Sequence, residues 1–418
     1  MLPGGFFFKT CYNVFMTIRL PDNFLWGASL SAYQSEGGNF TCDWYEWEKK
    51  RKLTLCGDAA RHYQMYKDDF KLASGLSLNS LRISLEWSRL YPDCNEFSLK
   101  ELDHYRNVLD SLLKLHITPM VTLHHFTNPL WFMRKGGWRK SSNVDYFLDY
   151  VRTVVKALKD YCSFWLVFNE PMVYVYNGYI SGHWPPGSRS LRDVYAVMEN
   201  ITKAYIEAYD EIKLIYRLGT LPAPQISIAK HMRDFAPCEQ GGPAAKFFAK
   251  FRDRNFNMAF IGPLSRLGKL DFIGLNYYCR DYVKGGSLLG SSCLVDHHIN
   301  RRNALGWHMS PEGMYDLLLR CGIFGLPVVI TENGTAEKFN DHYEYFLLSH
   351  LKAMARAREK GVDIRGYFWW SLIDNFEWDL GFEPRFGLYE VDYKSYARKV
   401  RPFAVTYARI CKANEIEI

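Results

Sequence analysis

"FWLVFNEPMVYVYNGY", residues 164–179, starts as a strand and ends as something else. Phe164 to Phe168 form an unbroken apolar run, the pattern of a strand buried on both faces. Asn169, Glu170 and Pro171 arrive where that strand must stop. The stretch thus sets an ionisable carboxylate, fenced by an amide and a proline, at the end of a hydrophobic strand. What the carboxylate faces depends on the arrangement of the rest of the chain.

Phe164–Pro171 is one of eight such runs; the others are Phe24–Leu30, Leu78–Ser84, Ile117–His125, Gln225–His231, Asp271–Tyr278, Pro327–Gly334 and Ile364–Leu372. Helical patterns separate them. Within residues 340–360, Tyr343, Phe346, Leu347, His350, Leu351 and Met354 fall on one helical face. Ser98–His116 and Asn143–Tyr161 read the same way. Strand and helix alternating with no Pro/Gly-rich linker predict an α/β chain folded as a single (β/α)8 TIM barrel. A doubly wound open sheet is the alternative, but neither G-x-G-x-x-G nor a P-loop is present. Polar residues gather at the C-terminal ends of the strands: Gln34 and Glu36; Arg82 and Glu86; His124 and His125; Asn169 and Glu170; Asn276 and Tyr278; Glu332 and Asn333; and Trp370 to Glu377. In a barrel those ends converge on the face where active sites are built. Glu170 then looks into a pocket floored by the barrel.

Composition narrows the function classes. A 418-residue chain that is 48% hydrophobic can build a large core. Its net charge of +7 is mild for that length, with no long basic run or recognition-helix motif, so nucleic acid is not the expected partner. No stretch reaches 18 uninterrupted apolar residues, so no membrane span is expected. The ten cysteines show no C-x-x-C pair and no zinc spacing, which reads as free thiols in a reducing, cytoplasmic setting. Asn39, Asn200 and Asn333 each begin a short glycosylation pattern, one that also arises by chance. Residues 1–15 lack the basic start of a signal peptide and read as an appendage, with residues 16–418 forming the barrel.

Two carboxylates stand out on otherwise apolar strands, Glu170 after strand four and Glu332 after strand seven. Opposed carboxylates in an aromatic cleft are the apparatus of glycoside hydrolysis, one protonated to assist the leaving oxygen and one ionised at the sugar carbon. Apolar surroundings and mutual repulsion separate their pKa values. Taken singly, each Glu could instead be a buried ion-pair partner, for example of Arg82. His124 and His125 make a poor chelating pair, so neither metal nor cofactor is expected. "WWSLIDNFEWDLGFEPRFG" mixes aromatics with Asp374, Asn375 and Glu377, which suits sugar recognition as well as core packing.

From about Leu20 to Pro402 the chain resembles the family-one glycoside hydrolases, the β-glucosidase and β-galactosidase group. The motifs occur in order: "FLWGASLSAYQSEGG", "LRISLEWSRLYP", "TLHHFTNP", "FNEP", "GLNYY", "PEGMYDLLL", "VVITENG" and "RGYFWWSLIDNFEW" followed by "RFGLYEVDY". The resemblance implies a retaining β-glycosidase acting on terminal non-reducing glucosyl, galactosyl or fucosyl residues. It implies Glu170 as acid/base and Glu332 as nucleophile, with carboxyls about 5–5.5 Å apart. It also implies that Arg82 and Tyr278 hold Glu332 ionised and that Asn169 meets the sugar 2-hydroxyl. Gln34, His125, Glu377 and Trp378 are implied at other hydroxyls, Trp370 as a stacking floor, and Asn276 and Phe386 as lining.

The partner implied is a small β-glycoside or short oligosaccharide, and a homo-oligomer is left open. Phe126, Thr127 and Asn128 depart from the family's usual Trp-Asp-Leu. A catalytically dead sugar-binding barrel would lack one of the two Glu residues. A thioglucosidase resembling the myrosinases would carry Gln at position 170, and a phospho-β-glycosidase would carry phosphate-binding groups where Glu377 and Trp378 stand. A helix is expected from Ala244 to about Ile261, and the links before strand six and after "TENG" are short. These predict exposed Ile261 and Leu264 near the first, and near the second an open rim that specifies the leaving group weakly.

Overall fold

The computed structural model describes residues 17–284, 301–337 and 342–417. The expected appendage, residues 1–15, lies outside them. Eight parallel strands close a barrel: β1 Leu25–Ser29, β2 Ser80–Ser84, β3 Thr118–His124, β4 Phe164–Asn169, β5 Gln225–Pro237, β6 Ile273–Val283, β7 Val328–Asn333 and β8 Ile364–Trp370. β1 pairs with both β2 and β8, which closes the ring. The expected helices form at Leu99–Lys114, Val144–Leu158 and Tyr343–Glu359. All six apolar-face residues of the last are buried. Thr17–Arg19 pairs antiparallel with Glu415–Glu417, so the two ends of the described chain meet beneath the barrel wall.

The lower lumen is filled by Met120, Leu166, Ala229, Phe272, Val329 and Phe368. Polar side chains sit above this apolar layer, and irregular pairing aims them there. The register shifts between Leu166 and Asn169, between Leu275 and Asn276, and between Ile330 and Asn333. Strict alternation would turn Phe168 inward after Leu166. Instead Phe168 packs outward on Phe147, with ring centroids 4.9 Å apart, and Asn169 enters the site. Such irregularities re-aim a side chain at a strand end.

Several expectations need correction. Ala244–Ile261 is not one helix: Gly242–Arg252 runs into a wider turn at Asp253–Asn257, and a separate helix spans Ile261–Arg266. Phe260 stands between them at φ +69°, a conformation no regular helix contains. Ile261 and Leu264 are buried, because that second helix turns its apolar side inward. Asn39, Asn200 and Asn333 are all buried and hydrogen-bonded, which removes them as surface glycosylation sites. Seven described cysteines are free, but Cys238 is disulfide-bonded. No described helix is long and apolar enough to cross a membrane.

β5 and β6 run past the barrel as a paired ribbon, from Asp234 beside Arg280 to Pro237 beside Val283. The sequence reading ends these strands at His231 and Tyr278. Arg233, Asp234, Arg280 and Asp281 in the ribbon are charged and only partly buried, so it lacks the continuous apolar signal of a barrel strand.

The loop after β8 is anchored by Asp374. Its buried carboxylate accepts from both terminal nitrogens of Arg401 at 2.9 Å and from the Gly387 amide at 2.9 Å. Removing one partner of such a pair strands the other charge in the interior. Asp374→Ala should therefore cost about 3–5 kcal/mol in urea denaturation. A loss under about 1 kcal/mol, the size expected of a surface pair, would contradict the anchoring role.

Candidate active site

A cavity of about 240 Å³ opens at the C-terminal end of the barrel. Its wall includes Gln34 after β1, His125 after β3, Asn169 and Glu170 at β4, and His231 in β5. Tyr278 of β6, Glu332 of β7, and Trp370, Glu377, Trp378 and Phe386 after β8's start complete the ring. The volume is below the roughly 300–1,000 Å³ of drug-sized pockets, and suits one sugar ring. Arg82 and Asn276 lie behind this wall, fully buried.

Glu170 leaves β4 at φ +43°, ψ +55° and heads a short helix whose first residue is Pro171. Pro171 disfavours the right-handed helical conformation in the residue before it. It also fits the first helical position, where its missing N–H leaves nothing unpaired. A left-handed, non-glycine residue costs on the order of 1–2 kcal/mol. The Glu170 amide offsets part of this by donating to the Ala229 carbonyl at 2.7 Å.

The two carboxyls have different partners. One oxygen of Glu332 takes a direct contact from the Arg82 guanidinium, and the other accepts from the Tyr278 hydroxyl. Arg82 also donates to Asn169 Oδ1 at 2.6 Å and to Thr122 Oγ1 at 3.0 Å. Glu170 Oε1 accepts from Asn276 Nδ2 at 2.8 Å and lies 3.3 Å from His231 Nδ1. Asn276 is itself fixed, since its Oδ1 accepts from Thr331 at 2.6 Å.

Arg82 can only donate, so the atom of Asn169 facing it must be the oxygen. The Asn169 amide nitrogen is then the donor to His125 Nε2, at 3.0 Å. Burial, reinforced by the Arg82 charge, keeps His125 well below its usual pKa and therefore neutral. Its proton is then on Nδ1, an atom with no partner among the described residues. Gln34 has a similar surplus. Its amide nitrogen serves Phe376 O at 2.9 Å and Glu377 Oε2 at 3.1 Å, while its Oε1 has no partner among those residues. The wall thus holds an unmet donor and an unmet acceptor beside stacked rings. His125 lies 6.1 Å from Trp370 and 6.2 Å from Trp378, nearly parallel to both. That mixture can hold the hydroxyls and the C–H face of a sugar.

Burial dominates the electrostatics. It pushes Glu332 up to about 7 despite Arg82, with the charge of Glu170 adding to the rise. Burial raises Glu170 as well, but His231 and Asn276 outweigh it and bring the carboxyl below its ordinary value. That lowering needs a protonated His231, yet burial holds His231 below its own usual pKa. The guanidinium on Glu332 carries a permanent charge, so it is the firmer of the two stabilising contacts. The carboxyls share their protons as a pair, and the first proton relieves both. Burial also pushes Glu377 up to about 8, though this half-buried group keeps some contact with water.

Some polar strand-end residues lie elsewhere. Asp374 and Asn375 are buried supports of the β8 loop, not hydroxyl-binding groups. Glu36 accepts from Arg89 at 2.8 Å, and Glu86 from Thr127 at 2.8 Å, both away from the cavity. His124 packs among Trp138, Phe147 and Phe168. The sequence reading missed His231, Arg233, Trp184 and Trp307 in the wall. His231 was detectable, as the polar end of the fifth predicted strand. Trp184 and Trp307 come from loops, where no periodicity marks the inward side.

The pattern described as glycosyl hydrolase family 1 matches residues 16–269 and 264–416. Beta-glucosidase A of Thermotoga maritima is 29% identical, over 96% of this chain and 99% of that protein. Beta-galactosidase of Sulfolobus acidocaldarius is 30% identical, over 96% of each. A solved beta-glycosidase from Pyrococcus horikoshii is 36% identical and superposes with a TM-score of 0.89, covering 96% of this chain and 97% of that one. The barrel, its cavity and a match along nearly the whole sequence agree: the chain belongs to glycosyl hydrolase family 1 and is a glycoside hydrolase.

Proposed function

We propose that the protein is a retaining β-glycosidase that removes terminal non-reducing glucosyl or galactosyl residues through a covalent glycosyl-enzyme. The observation that carries this reading is the pair of carboxyls in one small cavity with unlike partners. Glu332 faces a permanent cation and a phenol, which suit a carboxylate. Glu170 faces an amide and a histidine that burial drives towards neutrality, and with Glu332 ionised nearby it keeps the proton. Relatives named beta-glucosidase and beta-galactosidase support the sugar class.

In the first step a Glu332 oxygen attacks the anomeric carbon as the bond to the glycosidic oxygen breaks. Glu170 gives its proton to that oxygen, and the alcohol departs. In the second step water attacks the same carbon from the face the alcohol left. Glu170 takes the water's proton, and the bond to Glu332 breaks. Two inversions return the β configuration. Asn169, oriented by Arg82, is placed for the 2-hydroxyl, where contacts strengthen in the transition state. Gln34, His125, Glu377 and Trp378 hold the remaining hydroxyls, with Trp370 as the stacking floor and Phe386 closing the wall. Glu377 and Trp378 offer a 6-phosphate no cation, which sets the phospho-glycoside reading second.

Glu332→Ala should lower kcat by at least about 10⁴-fold, because no other group forms the covalent bond. Added azide should restore turnover and yield the α-glycosyl azide from a β-glycoside. A β-configured azide product would assign Glu332 another role. Glu170→Ala should slow the first step by about 10²–10⁴-fold for cellobiose but little for a dinitrophenyl glucoside, whose leaving group needs no proton. Equal losses on both substrates in pre-steady-state measurements would exclude Glu170 as the acid.

A further inference from the structure

A second cavity, of about 270 Å³, lies between the segment following Glu170 and the β5–β6 ribbon. Met172, Tyr176, Ile180, Phe235, Phe251 and Phe256 make it largely apolar. It shares Val173, Asn177 and Arg233 with the catalytic cavity, so the two adjoin. Asn177 and Arg252 also line it, while Arg233, Asp281 and Asn255 on its wall are already engaged. Arg233 donates to Asp281 at 2.7 Å and to His231 at 3.1 Å, and the Asn255 amide donates to the Phe251 carbonyl at 2.7 Å. A second sugar entering here would lose water from its hydroxyls with few partners in exchange. A hydrocarbon incurs no such loss and gains from burial.

The location fixes the role. Met172 and Val173 follow Glu170 by two and three residues, and Arg233 contacts the histidine beside the Glu170 carboxyl. In the mechanism proposed above, Glu170 protonates the departing oxygen, so this cavity lies on the leaving-group side. We infer that it binds an apolar leaving group, the unbranched alkyl chain of an amphiphilic β-glycoside. The inference rests on the roles assigned to Glu170 and Glu332. It replaces the expectation of a weakly specified leaving group, which considered the short loops but not the ribbon. Apolar surface continues outward from the cavity: Phe251 is 39% exposed and Phe247, one helical turn before it, 62%.

The test is kcat/KM for methyl, butyl, hexyl and octyl β-glucosides, each kept as a monomer below its micelle concentration. These primary alcohols leave with similar chemistry, so chain length is the variable. The rate constant should climb by up to about fourfold per buried methylene and level off once the cavity is full. Ile180→Asp and Phe251→Ser should each pull the octyl-to-methyl ratio towards one. Phe251 is partly exposed, so its substitution preserves the fold, and a thermal melt checks both variants. A flat series, or a ratio unmoved by both substitutions, overturns the inference and leaves the glycosidase reading standing. Failure to cleave any of these glucosides, or nitrophenyl glycosides, overturns that reading and the inference with it.

Discussion

One buried cation ties the site together. Arg82 rises from β2 and reaches Thr122 on β3, Asn169 on β4 and Glu332 on β7. Taking a guanidinium out of water costs several kcal/mol, which only a full set of acceptors can offset. Meeting that demand fixes the rest. Asn169 must show its oxygen to Arg82, so its nitrogen goes to His125, and the tautomer of His125 follows. Glu332 is held at a set point above the lumen. Burial drives His125 and His231 towards neutrality, which leaves Arg82 as the permanent charge held against Glu332, with Arg233 on the Glu170 side. An ionised Glu332, as proposed above, suits a transition state that gathers positive charge on a sugar ring.

Much of this was legible in the sequence because barrel strands buried on both faces must be continuously apolar. All eight runs became strands. Polar residues then stand out only where the strands end, so Glu170 and Glu332 were visible against Phe164–Phe168 and Val328–Ile330. The same logic overreached at Asp374, Asn375, Glu36, Glu86 and His124. A polar residue at a strand end can serve the cavity or anchor the loop behind it, and spacing does not separate the two. Asp374 was decided by Arg401, which lies 27 residues away in sequence.

The less legible parts depend on irregularity. A pairing shift sends Phe168 outward and Asn169 inward, and no propensity encodes it. Each strand of the β5–β6 ribbon opens on an adjacent Arg-Asp pair, so it reads as loop although it pairs as strand. Phe260 splits a predicted helix through its backbone conformation alone. Of these features the ribbon lines the proposed leaving-group side, whereas the pairing shift brings Asn169 into the sugar side. Sequence therefore spoke more clearly about the reaction than about the leaving group.

The central claim is that Glu332 forms the covalent bond. A 2-fluoro-substituted β-glucoside with a dinitrophenyl leaving group slows the second step more than the first, and so traps the intermediate. After incubation and digestion, mass spectrometry should find one fluoro-sugar attached to Glu332, and unlabelled substrate should be released with its β configuration retained in the product. A label on Glu170, or no label together with an inverted product, would contradict the account.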